Sequence, residues 1–313
     1  MAFPPYGTTV PTLNKFNFSF NGLTFGPATT NENSGFGFTK IEGLDRPDVR
    51  DGDVDAPRSR GQFVGLDLLA ARDITITGEL GTDGTSLFHA SQQLRNIFSP
   101  RGTTQDPLFF CDGTGTTYAI MVRIRKDNIP IDFAYSVGAL AQIVVQFHAL
   151  DPNFYSTPTQ LVTCGLPDPT GGFTFDIVFP WNFNPGSPGP SNFLNLTNAG
   201  NVNSYPIFTI NGPCINPIII NINTGQYLQF NLTLGSTDVL VVDTDNPHSA
   251  QLNGIASRLS YLSPYSQWFS LVPELGPNAS NGGVTTIEFN SGDLTQAAGT
   301  LAIQYASAYS SLT

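Results

Sequence analysis

The sequence predicts an all-β fold with one helix, arranged in two domains. Short segments in which polar and apolar residues alternate recur along the 313 residues, separated by many of the 31 glycines and 24 prolines. Alternation with a period of two is the signal of a half-buried strand. Many short strands between turn residues are typical of β-sandwiches and barrels.

The predicted strands are rich in β-branched and aromatic residues. In one of them, Ile74 and Ile76 fall on one face and Thr75 and Thr77 on the other. The predicted strands are Lys15–Phe20, Asp73–Leu80, Thr117–Arg125, Ala139–Ala149, Pro217–Asn223, Tyr227–Leu234, Val239–Asp243, Thr285–Asn290 and Thr300–Tyr305.

One segment, Ser86–Phe98, has helical spacing instead. Leu87, Ala90, Leu94 and Ile97 recur at intervals of three and four, which places them on one face of a helix. Thr85 or Ser86 can cap the start, and Ser99-Pro100 ends the segment. We expect one helix near 86–98, packed by its apolar face against a sheet.

The domain boundary is predicted in a region rich in turn residues. Gly165–Gly172 and Asn184–Pro190 have the composition of linkers. Between them, Phe173–Trp181 is too apolar for a free linker and is predicted to be an edge strand of the second domain. The expected domains are therefore 1–165 and 192–313, joined by a connecting segment, 166–191.

Charge excludes one class of function. The net charge is −11, only 12% of residues are charged, and 12 of the 13 lysines and arginines lie within residues 1–126. An acidic chain lacks the basic surface that binds phosphates, so sequence-specific nucleic-acid binding is not expected. A surface so poor in charge suits a subunit that buries much of it in an assembly.

The cysteines and the apolar segments give further limits. Cys111, Cys164 and Cys214 are odd in number and widely spaced, which argues for buried thiols over a disulfide framework. The amino terminus, MAFPPYGTT, has no signal-peptide pattern. No apolar run reaches about 18 residues, so membrane insertion is not expected. We expect folding in a cytoplasm.

Motifs for catalysis or metal binding are not found. His89, His148 and His248 are isolated, and no nucleophile, zinc or phosphate-loop motif occurs. Asp51, Asp53 and Asp55 resemble the start of a calcium loop, but Ala56 replaces the loop glycine and Gln62 the final glutamate. The sequence therefore predicts no enzyme, cofactor or metal site.

Two stretches together resemble a known family. The first is Thr39–Gly61 followed by Ala71–Glu79, with a Gly-Leu, a Pro-x-Val-Arg run, a charged loop and an alternating strand; the second is Thr197–Gly225, followed by Val241–Asp243 and Ser266–Leu271. In this order they resemble the distal tail proteins of long-tailed phages that infect actinobacteria and related hosts. The resemblance covers nearly the whole chain.

The resemblance implies a structural protein of the virion, located in the tail tip and assembled in the host cytoplasm. The N-terminal β-sandwich or barrel would form a ring, expected to hold six copies, around the DNA channel. A galectin-like C-terminal β-sandwich would hold other proteins of the tip. The implied partners are further copies of the chain, the tail tube protein, the tip hub and other minor tail proteins.

The mixed-charge loop 42–61 is the predicted contact between subunits. Opposite charges across an interface select orientation more than they add affinity, although a solvated loop has the same composition. The candidate interface residues are Arg46, Asp48, Arg50, Asp53, Arg58 and Arg60.

Three alternatives remain open from the sequence. The chain is a paralogous minor tail protein built on the same plan, or a carbohydrate-binding module for host adsorption, or a glycosidase. For the second, Trp268 is the candidate that would stack on a sugar, with Asn253 and Arg258 upstream, although a tryptophan in a sandwich more often packs in the core. For the third, no pair of carboxylates stands out.

Overall fold

The computed structural model describes residues 3–27, 36–56, 60–80, 87–130, 141–167, 192–293 and 298–312. The chain forms two compact units. The first is Ala2–Pro158 together with Tyr309–Thr313, and the second contains Thr159–Ala308. The first unit thus ends seven residues before the expected boundary at 165, because residues 160–165 pair with a strand of the second unit. The segment 168–191, including Phe173–Trp181, lies outside the described residues.

The first unit is built mainly from strands, with one helix after the eighth. The elements are β1 Phe18–Phe20, β2 Leu23–Pro27, β3 Phe36–Glu42, β4 Val49–Arg50, β5 Val54–Asp55, β6 Gln62–Phe63, β7 Leu68–Leu69, β8 Arg72–Leu80, α1 Leu87–Ile97, β9 Asp106–Cys111, β10 Thr117–Asn128, β11 Ala141–Ala149 and β12 Phe154–Ser156.

Seven of these strands close into a barrel in the order β11-β8-β3-β2-β1-β9-β10, because β10 also pairs with β11. Only β2 and β3 run parallel among these pairs. Inside lies a cluster of buried phenylalanines, whose rings meet at centroid distances of 4.5 to 6.3 Å. Its members include Phe18, Phe20, Phe25, Phe36, Phe98, Phe110 and Phe147. Closure leaves the barrel without free edges among these seven strands.

The helix α1 packs against this core as the sequence predicts. Leu94 and Phe98 are buried, and Ala90 and Ile97 lie against the cluster. The candidate caps Thr85 and Ser86 lie outside the described residues. In the described part of the chain, no helix is long and apolar enough to cross a membrane.

The second unit contains short strands and two single 3-10 turns, Leu259–Tyr261 and Asn281–Gly283. Its strands are β13 Gln160–Gly165, β14 Phe193–Thr197, β15 Ile207–Asn211, β16 Cys214–Ile215, β17 Pro217–Asn221, β18 Tyr227–Gln229, β19 Thr233–Leu234, β20 Val239–Asp243, β21 Ser249–Leu252, β22 Ala256–Ser257, β23 Val284–Ser291 and β24 Thr300–Tyr305. The last strand of the chain, β25 Ala308–Tyr309, pairs beside β12.

Two antiparallel sheets of the second unit enclose one core. The larger has the order β13-β24-β15-β20-β21-β22, and the smaller β14-β23-β17-β18. Phe208 and Ile303 from the larger sheet belong to the same buried cluster as Ile219, Ile287 and Phe289 from the smaller. This is a β-sandwich. The predicted all-β class with one helix is confirmed, and the helix lies in the first unit.

Most predicted strands are found with bounds shifted by a few residues. Val239–Asp243 and Thr300–Tyr305 match without a shift, whereas Tyr227–Leu234 is interrupted into β18 and β19. The largest difference between prediction and structure lies in the charged loop 42–61. Part of this loop forms strands, because β4 pairs with β7 and β5 pairs with β6. All three cysteines are buried thiols.

The side chain of Arg72 connects distant segments of the first unit. Its guanidinium donates hydrogen bonds to the carbonyl oxygens of Gly43 (2.7 Å), Asp45 (2.5 Å), Pro152 (2.7 Å) and Ser310 (2.6 Å). Arg72 is 2% exposed. The residues just before β4, before β12 and after β25 are therefore held by one cation.

Burial lowers the pKa of Arg72 to about 10, while Asp45 and Asp151 act in the opposite direction. The group therefore stays charged at neutral pH. The guanidinium also lies over the ring of Phe154, 4.5 Å from its centroid, and this contact adds a cation–π attraction.

Asn198 has a similar position in the second unit. Its amide donates to the carbonyls of Val202 (2.9 Å) and Leu271 (3.2 Å), and its oxygen accepts from the amides of Gly200 and Ala308 (both 3.1 Å). All four hydrogen-bonding positions of the side chain are used, and Asn198 is buried.

We expect Arg72→Met to lower the free energy of unfolding of the first unit by about 3 kcal/mol, because four carbonyls lose a charged donor. Urea unfolding and hydrogen exchange at residues 309–312 measure the effect. The control is Arg125→Met at an exposed site on β10, which should change stability by less than about 0.5 kcal/mol. Equal losses in the two variants would contradict the role given to Arg72.

We expect Asn198→Ala to destabilise the second unit by about 2 to 3 kcal/mol, because buried backbone groups lose their partners. Asn195→Ala is the control, since Asn195 is exposed and accepts one bond, from the Thr286 hydroxyl at 2.8 Å. Thermal unfolding compares the two variants. The interpretation fails if Asn195→Ala lowers the melting temperature as much as Asn198→Ala.

Candidate functional site

The predicted interface loop lies in a ribbon, residues 45–70, which we call the arm. Val49–Arg50 pairs with Leu68–Leu69, and Val54–Asp55 pairs with Gln62–Phe63, both antiparallel. Between these ladders the two backbones approach closely: a Cβ atom on Gly65 would lie 2.0 Å from the carbonyl oxygen of Gly52. Glycine is therefore required at position 65.

Two aspartates stabilise the arm itself. The Asp53 carboxylate accepts a hydrogen bond from the Gly65 amide at 2.7 Å, and the Asp55 carboxylate accepts one from the Gln62 side chain at 2.9 Å. Both bonds cross from one side of the ribbon to the other. The D-x-D-x-D pattern thus contributes to pairing within the arm.

The other predicted interface residues that the structure describes are exposed. Arg46, Asp48, Arg50 and Arg60 lie on the arm, and no ion pair involves them among the described residues. Arg58 lies outside the described residues. The charges that the sequence singled out are therefore available for contacts beyond the described part of the chain.

The arm also exposes apolar side chains that the sequence analysis did not single out. Val64 is 93% exposed and Leu66 is 74% exposed, and Val54 and Phe63 face each other across the ladder at 63% each. Val49 and Leu68 are also exposed. The alternation of residues predicts which side of a strand is apolar. It does not predict whether that side is buried against another element or exposed.

Trp268, the candidate sugar contact, lies in the second unit beside a cavity of about 460 Å³. Its indole is partly buried, and the imidazole of His248 stacks on it with centroids 4.1 Å apart and planes 15° apart. One face of the indole is therefore covered. The cavity is lined by Tyr205, Thr244, Asp245, Asn246, His248, Trp268, Phe269 and Ser270.

Asn253 and Arg258, which the sequence suggested as neighbours of Trp268, do not line this cavity. The Asn253 side chain bonds Asp238 and the Val239 amide, and Arg258 lies over the ring of Tyr261 at 5.4 Å. The structure brings His248 and Asp245 to Trp268 instead, because the turn after β20 lies beside the segment 268–270.

Part of the second unit is similar to a known protein family. Residues 199–292 match the family model of the siphovirus-type tail component, C-terminal domain. No curated protein matches the chain.

Solved structures resemble the chain over nearly its full length. The SPP1 Dit (gp 19.1) protein, described as a paradigm of the hub adsorption apparatus in phages that infect Gram-positive bacteria, matches with a TM-score of 0.56 and 14% identity, over 93% of this chain and 98% of that one. Two structures of the phage P2 baseplate in its activated conformation also match, each with a TM-score of 0.46. The calcium form has 11% identity over 92% of this chain and 97% of that one, and the strontium form 9% over 92% and 96%.

The family match overlaps the second stretch of the resemblance seen in the sequence, and the likeness of fold extends over nearly the whole chain. Residues 199–292 are therefore similar to the C-terminal domain of siphovirus-type tail components, and the chain as a whole shares the fold of the SPP1 Dit hub protein.

Proposed function

We propose that the protein is a structural, non-catalytic subunit of a siphophage tail tip that assembles into a closed ring through its arm. The ring joins the tail tube to the tip proteins and leaves a channel for DNA. The observation that carries this proposal is the exposure of apolar side chains on the arm, a paired element of the first unit. The number of six copies comes from the resemblance to distal tail proteins.

Exposed apolar side chains on the arm favour association. Single exposed apolar residues are normal, but several on one short ribbon mark an interaction surface. Burying each aliphatic side chain of this size contributes about 1.5 to 3 kcal/mol. A head-to-tail ring needs two different faces on each subunit, and the arm supplies one of them.

Charge on the arm supports a specific orientation in that contact. Arg46, Arg50 and Arg60 alternate along the chain with Asp48 and Asp51, and all five are exposed. A neighbour with the complementary order of charges would fit in one register, and a shifted register would oppose like charges. Asp53 then acts within the arm, by holding the ribbon that presents the other charges.

The acidic character of the chain suits a DNA channel. The first unit has 12 basic and 16 acidic residues, so its net charge of −4 does not favour retention of phosphates, whereas a basic wall would bind them. In this proposal the first unit forms the ring in the virion, after assembly in the host cytoplasm. The second unit binds the tip hub or other minor tail proteins.

A second candidate function is carbohydrate binding at the second unit, favoured by the partly exposed Trp268 at the cavity. A pyranose ring could stack on the indole only at the face opposite His248, or after the imidazole moves away. A glycan array with the full chain tests this function, and a tight, specific glycan would support adsorption to the host.

We expect the wild-type protein to form particles of about six times 33.6 kDa in mass photometry. Val64→Asp combined with Leu66→Asp should weaken assembly at least about 100-fold, since two apolar contacts are replaced by charges. Both side chains are mostly exposed in the subunit, so its thermal stability should not change.

The matched control is Ile255→Asp combined with Leu275→Asp in the second unit, where the side chains are 90% and 59% exposed. This variant should assemble like the wild type. Rings formed equally well by the arm variant, or a wild-type chain that stays monomeric both alone and with tail neighbours, would refute the proposal.

A further inference from the structure

The cavity beside Trp268 lies at one end of the larger sheet of the second unit. Strand β20 ends at Asp243 and β21 begins at Ser249, so the turn 244–248 forms one wall. Tyr205, just before β15, and residues 268–270 complete the lining. A volume of about 460 Å³ is sufficient for the end of a long side chain.

One wall of the cavity is aromatic and fixed in place. The rings of His248 and Trp268 stack nearly parallel, and Nδ1 of His248 lies 3.1 Å from the carbonyl oxygen of Asp245. Trp268 packs against the buried core on its inner side. The ring pair therefore presents a flat π surface that a planar group can approach.

A carboxylate stands beside this wall. Oδ1 of Asp245 accepts a hydrogen bond from the Asn246 amide at 2.9 Å. Burial raises the pKa of Asp245 and Asp243 acts in the same direction, whereas the Asn246 amide, the amino terminus of the chain and His248 lower it. Among the residues that the structure describes, no lysine or arginine lines the cavity.

The rest of the second unit is poor in lysine and arginine. Between residues 159 and 308 the sequence has eight aspartates and glutamates, and Arg258 is the only basic residue. Its guanidinium lies over Tyr261 and outside the cavity lining. The charge of this unit is thus complementary to a basic partner.

From the stacked rings, the carboxylate and a described lining that contains neither lysine nor arginine, we infer that the cavity binds the guanidinium of an arginine side chain presented by a neighbouring tail protein. The planar guanidinium stacks on the His248–Trp268 pair and donates to Asp245. This inference rests on the proposed function, because it gives the second unit a contact with tip proteins. An arginine fits better than a lysine, since only a planar cation uses both the wall and the carboxylate.

Fluorescence of Trp268 can measure this binding in the full chain. The chain has two tryptophans, so Trp181→Phe leaves Trp268 as the only indole. The probe is N-acetyl-arginine amide, and the matched neutral probe is N-acetyl-citrulline amide, in which a urea replaces the guanidinium. We expect saturable binding of the arginine probe and at least about 10-fold weaker binding of the citrulline probe.

Asp245→Asn should reduce binding of the arginine probe at least about 10-fold, because an amide can still accept the bond from Asn246 but carries no charge. Glu274→Gln, at an exposed site outside the cavity lining, removes the same charge and should bind like the wild type. Equal melting temperatures establish that both variants are folded.

Three results would overturn the inference: equal binding of the two probes, unchanged binding by Asp245→Asn, or tighter binding of galactose or N-acetylglucosamine than of the arginine probe. Mass photometry of the same samples separates the two proposals. Rings without arginine binding would reject the cavity inference alone, and arginine binding without rings would reject the ring alone.

Discussion

A single buried guanidinium, that of Arg72, connects segments of the first unit that the hydrogen bonds between the barrel strands do not hold together. Arg72 begins β8, the strand that pairs with both β3 and β11, and its four acceptors belong to three segments far apart in sequence. A buried charge is tolerated only when its hydrogen-bonding groups are satisfied. Here neutral carbonyls satisfy it, so each of those segments must be present for the charge to be stable. A lysine could not make the same set of bonds, since its donors are not spread in a plane. The arm starts within the region that this cation fixes, because Asp45 is both its first residue and one of the acceptors.

Sequence patterns predict local structure well in this chain and long-range closure poorly. Alternation identified β8, β20 and β24 because each has one face in a core, and burial repeats at every second residue along them. The helix was found because its apolar period differs from that of the strands around it. The pairing of β10 with β11 and the acceptors of Arg72 could not be predicted, because they depend on which remote segments meet. Asn198 illustrates the same limit: as one asparagine among many, it gives no sign in the sequence that it is buried with four bonds.

The candidate sites, too, could be predicted from the sequence only in part. The charged residues of the arm could be predicted because a cluster of charges is visible in the sequence. The exposure of Val64 and Leu66 could not, because it depends on the arm having no other element against it among the described residues. At the cavity, the residue type of Trp268 predicts a candidate contact, but the partners expected from nearby sequence, Asn253 and Arg258, do not line the cavity. Strand β21 carries the chain away from the cavity after Ser249, so the residues that meet the indole precede that strand.

The path of the chain through the two units has a consequence for how such proteins diversify. The chain leaves the first unit at Pro158 and comes back at Tyr309, and the strands on either side of this excursion, β12 and β25, are neighbours in one sheet. Neighbouring strands are only about 4.8 Å apart. Any foreign module whose own ends lie close together could be grafted between those two points without breaking a ladder of the barrel. Arg72 would still hold the C-terminal segment in place, because Ser310, whose carbonyl oxygen accepts its hydrogen bond, follows the grafted module in the chain. Recombination could thus exchange the second unit while the barrel of the first unit stays intact.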